Sequence, residues 1–236
     1  MHTLQVVQAA LWLLAGAVAL YFSIGNSRIW TSISTGFFLL FISQAYWLYP
    51  AVSNPRLTAI HYVVGTIAIM VMTFGFQEYY VFSRTLESGG SKFMVLLVTA
   101  IALAASAMFL LINPEPSPMV VRQIKLIENA NWVFLALINI DMSLKIHEQV
   151  HESPIARGFV GFIFCFGLIF LRRGSELYLQ VYGWDLDYAN LAGRAAVAMP
   201  ADTIRIPFSR AVHEITGLLA SLTVGGTFGY LVKKLR

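Results

Sequence analysis

Charge is scarce in this chain. Only 12% of its residues are Asp, Glu, Lys or Arg, against about 25% in a soluble globular domain. A water-facing surface cannot be built from so few charges, and 58% of the chain is hydrophobic. Most of its surface therefore has to face lipid. There is one cysteine, Cys165, inside the apolar run GFIFCFGLIF, so an intrachain disulfide is excluded and the thiol reads as a small packing residue. There is no Walker sequence, no dinucleotide fingerprint, no C-x-x-C and no C-x-x-C-H. The last apolar run, 211–232, has no interior lysine, which argues against a retinal Schiff base. No β-type alternation extends over a useful length, and no internal repeat is visible. The net charge of +4 fits basic flanks at a membrane surface and gives no sign of nucleic acid.

What is there in quantity is long apolar runs. A helix needs about 20 apolar residues to cross a bilayer. Runs of that kind lie near 5–24, 31–50, 59–82, 93–113, 119–146, 155–171 and 211–232. The first has no basic n-region, since the first positive charge, Arg28, follows it, and it exceeds the usual h-region. It reads as an uncleaved span. Gly25-Asn26-Ser27, Tyr49-Pro50, Ser53-Asn54-Pro55, Ser88-Gly89-Gly90-Ser91, Asn113-Pro114-Glu115-Pro116-Ser117-Pro118 and Ser153-Pro154 break the runs. The expected fold is an all-α polytopic membrane bundle, a single transmembrane domain over 1–236. Seven spans are expected, or six if the fifth, clearly apolar only from Trp132 to Ile140, does not cross. Residues 172–210 read as a short interfacial segment. Tyr178, Tyr182, Trp184 and Tyr188 are aromatic-belt residue types, and Asp185–Ala198 could form a surface helix. The expected setting is the inner membrane of a bacterial cell. Lys and Arg divide evenly between the two sides, so orientation stays open.

Three constellations carry chemistry. His147-Glu148-x-x-His151 has the spacing of the zinc-hydrolase motif, in which one helix face presents two histidines and the glutamate acts as base. A third ligand is needed. The later candidates, Glu176, Asp185, Asp187, Asp202, His213 and Glu214, all lie beyond the run 155–171, on the opposite face if that run crosses. Glu78 stays on the same face and completes a candidate metal set of His147, His151 and Glu78, although out of the usual chain order. The blander reading is a solvated, mixed-charge helix end with Glu148 no catalytic base.

His61 and His213 each sit just inside the start of a helix on one common face, the placement that axial ligation of a b-type haem requires. Third, Glu128, Asn131, Leu135 and Asn139 form one helical stripe, with Asp141 and Lys145 as an i, i+4 pair beyond it. Polar groups there should turn away from lipid, as interhelical glue or as a substrate, ion or proton path. Ser221, Gly225 and Gly229 add a close-packing stripe.

The reading favoured by the sequence is a non-enzymatic integral membrane subunit or sensor-like module, in contact with lipid and with other membrane subunits. The alternatives are a haem-binding redox subunit, a small transporter and a zinc protease, with neither haem nor zinc favoured over no cofactor.

Overall fold

The computed structural model describes residues 2–24, 29–46, 54–83, 93–153, 155–182 and 205–235. Among these there are seven α-helices and no strand: α1 (His2–Ser23), α2 (Ile29–Tyr46), α3 (Pro55–Ser83), α4 (Phe93–Ile112), α5 (Pro118–Gln149), α6 (Ala156–Val181) and α7 (Arg205–Leu235). The breakers do local work. Asn54 Oδ1 accepts from the backbone N–H of Arg56 and Leu57, at 2.9 and 3.3 Å, and Pro55 opens α3. Ser117 accepts from Val120 N–H at 3.4 Å, with Pro118 as first residue of α5. Both starts pair an N-cap side chain with a proline whose missing donor costs nothing there.

Six helices close a ring in the order α1, α2, α3, α5, α6, α7 and back to α1, while α4 packs outside it on α3 and α5. Consecutive helices around α2 and α6 run antiparallel. Ser34 donates to the Gly16 carbonyl (2.7 Å), Ser43 meets His61 (3.0 Å), and His147 donates to the Ala156 carbonyl (2.9 Å) while Arg122 meets Gln180. α3 and α5 run parallel, with Gly65 against Glu128 and Thr73 against Asn139, because α4 returns the chain between them.

Large rings fill the interior. Trp12 stacks on Phe37 at 5.8 Å, Phe37 meets Phe228 at 5.4 Å, Phe228 meets Phe162 at 5.6 Å and Phe162 meets Phe76 at 5.2 Å. This continuous run joins α1 to α2 by stacking and α2, α7, α6 and α3 edge to face, arrangements the ring quadrupoles favour. Glycines let the backbones close in. A side chain on Gly36 would strike Met72, and one on Gly161 would strike Thr227.

By length and apolar content, four helices can cross a membrane: Gln5–Ser23, Pro55–Val81, Ala156–Val181 and Arg205–Lys234. α5 fails that measure because Arg122, Lys125, Glu128, Asp141 and Lys145 interrupt it.

Two helices run well past the spans expected for them. α6 does not stop at 171; it continues through Arg172, Arg173 and Glu176 to Val181. α7 begins at Arg205, six residues before the expected 211. The charges at 172–176 look like a helix exit in sequence, but in the fold Arg173 and Glu176 pair with Glu128 and Lys125 of α5, so the helix has no reason to end there. The surface helix expected at Asp185–Ala198 lies outside the described residues. In the small-residue stripe of α7, Gly225 lies against Leu11 of α1, whereas a side chain on Gly229 would meet open space.

Candidate functional site

At the end of the bundle where α3, α5 and α7 begin and α6 finishes, charged and amide side chains collect in the interior. α5 brings Arg122, Lys125, Glu128 and Asn129 at three- and four-residue spacing, so they share one side of the helix. α6 brings Arg172, Arg173, Glu176 and Gln180 in the same way. Antiparallel packing then sets the two rows face to face.

Glu128 is fully buried and is held by Arg173, whose Nη2 donates to Oε1 at 3.1 Å. Arg173 Nη1 also donates to Asn129 Oδ1 at 3.1 Å and to Glu176 Oε2 at 3.4 Å, and its guanidinium lies 5.0 Å from the centre of the Trp132 ring. Lys125 pairs with Glu176 Oε1 at 3.0 Å and sits 5.8 Å from the Tyr62 ring of α3. Gln180 closes the far side: it accepts from Arg122 through its carbonyl (3.0 Å), donates to the Arg122 carbonyl through Nε2 (2.9 Å) and accepts from Asn129 through Oε1 (3.2 Å). From α7, His213 donates through Nδ1 to the Arg172 carbonyl at 3.3 Å, and the same nitrogen is 3.8 Å from Glu176. Two carboxylates thus tie α5 to α6 and approach α7. In a low-dielectric interior such groups are tolerated only when paired and hydrogen-bonded.

Gly65 of α3 makes room for this. A β-carbon there would overlap Glu128 Oε1, an atom already clamped by Arg173. Gly65→Ala is therefore expected to destabilise the protein by about 1–3 kcal/mol, the usual range for forcing a methyl into a packed site. Gly174→Ala, with nothing within 4 Å of the new methyl, should be neutral or stabilising by up to about 1 kcal/mol through helix propensity. Chemical denaturation in micelles compares the two.

Of the α5 stripe, Glu128, Asn131, Leu135 and Asn139 are all buried. Asn139 Nδ2 donates to Thr73 Oγ1 at 3.0 Å, a link from α5 to α3. Asn139 Oδ1, Asn131 Nδ2, Trp132 Nε1 and Ser143 Oγ are buried without a hydrogen-bond partner among the described residues. Asp141 does not belong to the stripe. Two residues past Asn139 is about 200° around a helix, so Asp141 is exposed and pairs with Lys145 at 2.7 Å.

The other sequence candidates are dispersed. α5 ends at Gln149, so His151 stands in the following turn and not on the helical face of His147. His147 donates to the Ala156 carbonyl and His151 to the Glu148 carbonyl, each at 2.9 Å. Glu78 accepts from Ser32 at 3.3 Å. Among the described residues no group of three or more His, Cys, Asp or Glu side chains is gathered that could hold a metal ion. The Ala156 end of α6 and the Arg172 carbonyl that meets His213 are sixteen residues apart, about 24 Å along the axis. His147 and His213 therefore mark opposite ends of the bundle.

His61 and His213 share one end, as expected, but face different neighbours. His61 Nδ1 meets Ser43 Oγ and its ring stacks on Tyr46 of α2 at 5.0 Å, while His213 turns to α6. The bis-imidazole pair is not assembled.

The sequence reading missed Lys125, Asn129, Arg173, Glu176 and Gln180 as a set. Their signal is charged and amide residues at helical spacing in both segments, but the charges at 172–176 read in sequence as part of an interfacial segment.

Compared with protein-family models, curated proteins and solved structures, the chain matches none.

Proposed function

We propose that this protein is a non-enzymatic, seven-span subunit or sensor-like module of a bacterial inner membrane, and that it acts on partner membrane proteins through the helices joined by the ionic network. The observation that carries this reading is the network itself. Glu128, Arg173, Glu176 and Lys125 stand inside a bundle whose core cluster is aromatic and aliphatic. Ionisable groups inside membrane helices are expensive, and by default they mark function. Glu128 and Lys125 tie α5 to α6, and Glu176 also reaches His213 of α7, so the network couples the positions of the three helices. The outer surface supports a lipid and protein setting: Ile101, Phe164 and Leu219 are large, apolar and exposed on α4, α6 and α7.

The membrane part is tested by labelling in oriented vesicles. With Cys165, which is buried, replaced by serine, single cysteines at Gln149 and Val212 should react with an impermeant maleimide from opposite sides. Reaction of both from one side would refute an α6 crossing.

The partner part is tested by photo-crosslinking amino acids placed at Ile101, Phe164 and Leu219 in native membranes. A discrete adduct with a different membrane protein from at least one position is expected. Adducts with lipid and with the chain itself alone, at all three positions, would overturn the reading.

A small transporter is a second reading, favoured by one observation. The unpartnered polar atoms of Asn131, Trp132, Asn139 and Ser143 follow one another along α5 away from the ionic network, as a polar path through a bundle would require.

A further inference from the structure

Both carboxylates of the ionic network are taken. Glu128 is held by Arg173, and Glu176 is shared by Lys125, Arg173 and the imidazole of His213. Arg172 is left over. Its Nε is buried without a hydrogen-bond partner, and the guanidinium lies against Gly217 of α7, where a β-carbon would stand 3.1 Å from Cζ, Nε and Nη1. A second arginine repeats the pattern. Arg210 Nε is also buried and unpartnered. Arg210 precedes His213 by three residues and Gly217 by seven, so it continues the face of α7 that meets α6. In the antiparallel register that sets Gly217 by Arg172 and His213 by Glu176, Arg210 comes level with Leu179, about 10 Å along the groove from Arg172. Taken as whole residues, both arginines are partly buried.

We propose that the α6–α7 groove between Arg172 and Arg210 binds a phosphate group, that of an anionic phospholipid headgroup. Among the described residues neither guanidinium has a carboxylate in an ion pair, and the planar fork of each fits the geometry of phosphate. The depth fits a headgroup as well. Arg210 lies five residues after the start of α7 and level with Leu179, two residues before the end of α6, so the site opens at the end of two candidate membrane spans, where the headgroup layer begins. Gly217 is part of the site, because any side chain there would occupy the volume of the Arg172 guanidinium. The lipid source rests on the membrane reading above; the phosphate chemistry does not.

The test is native mass spectrometry of the purified full chain in neutral detergent, titrated with phosphatidylglycerol and with phosphatidylcholine, and a parallel thermal-shift titration with inorganic phosphate. The wild type should prefer phosphatidylglycerol by about tenfold or more, and Arg172→Gln or Arg210→Gln should each remove about tenfold of that affinity, as loss of a charged hydrogen bond does. Arg172→Lys should fall between, since it keeps the charge and loses the fork. Lys233→Gln, exposed at the opposite end of α7, should change nothing. Should Arg172→Gln fail to give a folded, helical protein, Arg210→Gln decides the matter. Phosphate binding that both variants lose, without a lipid preference, would assign the site to a soluble phosphate. Absence of both kinds of binding, or an equal loss in Lys233→Gln, overturns the proposal.

Discussion

Arg173→Gln lowers the stability of the bundle by about 3–5 kcal/mol, the cost of leaving a buried carboxylate without its cation. Glu128 has no exposed surface and takes its shortest ion pair from Arg173 at 3.1 Å. The same guanidinium satisfies Asn129 and reaches Glu176, so its removal strands Glu128 and the Asn129 oxygen, while Glu176 keeps Lys125. The pair is not thereby a large net source of stability. Desolvating two charges offsets most of their attraction, and a neutral pair of similar volume often does as well. The double variant Glu128→Gln, Arg173→Gln should accordingly recover about 1–3 kcal/mol relative to the sum of the single changes, the coupling expected of residues in contact. Unfolding of purified protein in micelles, followed by circular dichroism, measures all three. Strict additivity within about 0.5 kcal/mol would mean that the two side chains do not interact as described.

Phe162→Ala destabilises by about 2–3 kcal/mol, and Phe164→Ala, two residues away, by less than about 0.5 kcal/mol. Phe162 is 1% exposed and touches Phe76, Phe159 and Phe228, so it holds α3 and α7 to α6. Phe164 is 65% exposed and points outward. In lipid the transfer term largely disappears, because acyl chains are as apolar as the core. What remains is the cavity, and roughly 100 Å³ at about 24 cal/mol per Å³ comes to about 2.4 kcal/mol. In water Phe164→Ala would improve the surface and Phe162→Ala would cost about 3–5 kcal/mol. The contrast between the two variants, read from unfolding midpoints in micelles, therefore reports on solvent as well as packing. Equal effects would contradict the orientation of α6.

Composition and breakers determine a good deal of this molecule. Few charges and long apolar runs require helices, because a span without water must satisfy its backbone internally. Asn54-Pro55 and Ser117-Pro118 were legible as breaks and act locally as helix starts, a capping side chain followed by proline, although the expected runs open at 59 and 119. The inward turn of Glu128, Asn131 and Asn139 was legible as well, because helical periodicity alone places them on one side and lipid excludes that side.

Everything that depends on a second helix was decided by tertiary structure. Arg172, Arg173 and Glu176 look like the polar exit of α6 until α5 is set antiparallel beside them, with Lys125 and Glu128 at matching height. HEQVH spells a zinc motif, yet α5 ends at Gln149 and His151 falls in the turn. His61 and His213 share an end of the bundle, but α2 takes one and α6 the other. Spacing along one chain fixes which residues share a face; which face meets which is settled by the closure of the ring, where large aromatics have to interdigitate and each buried charge has to find its partner.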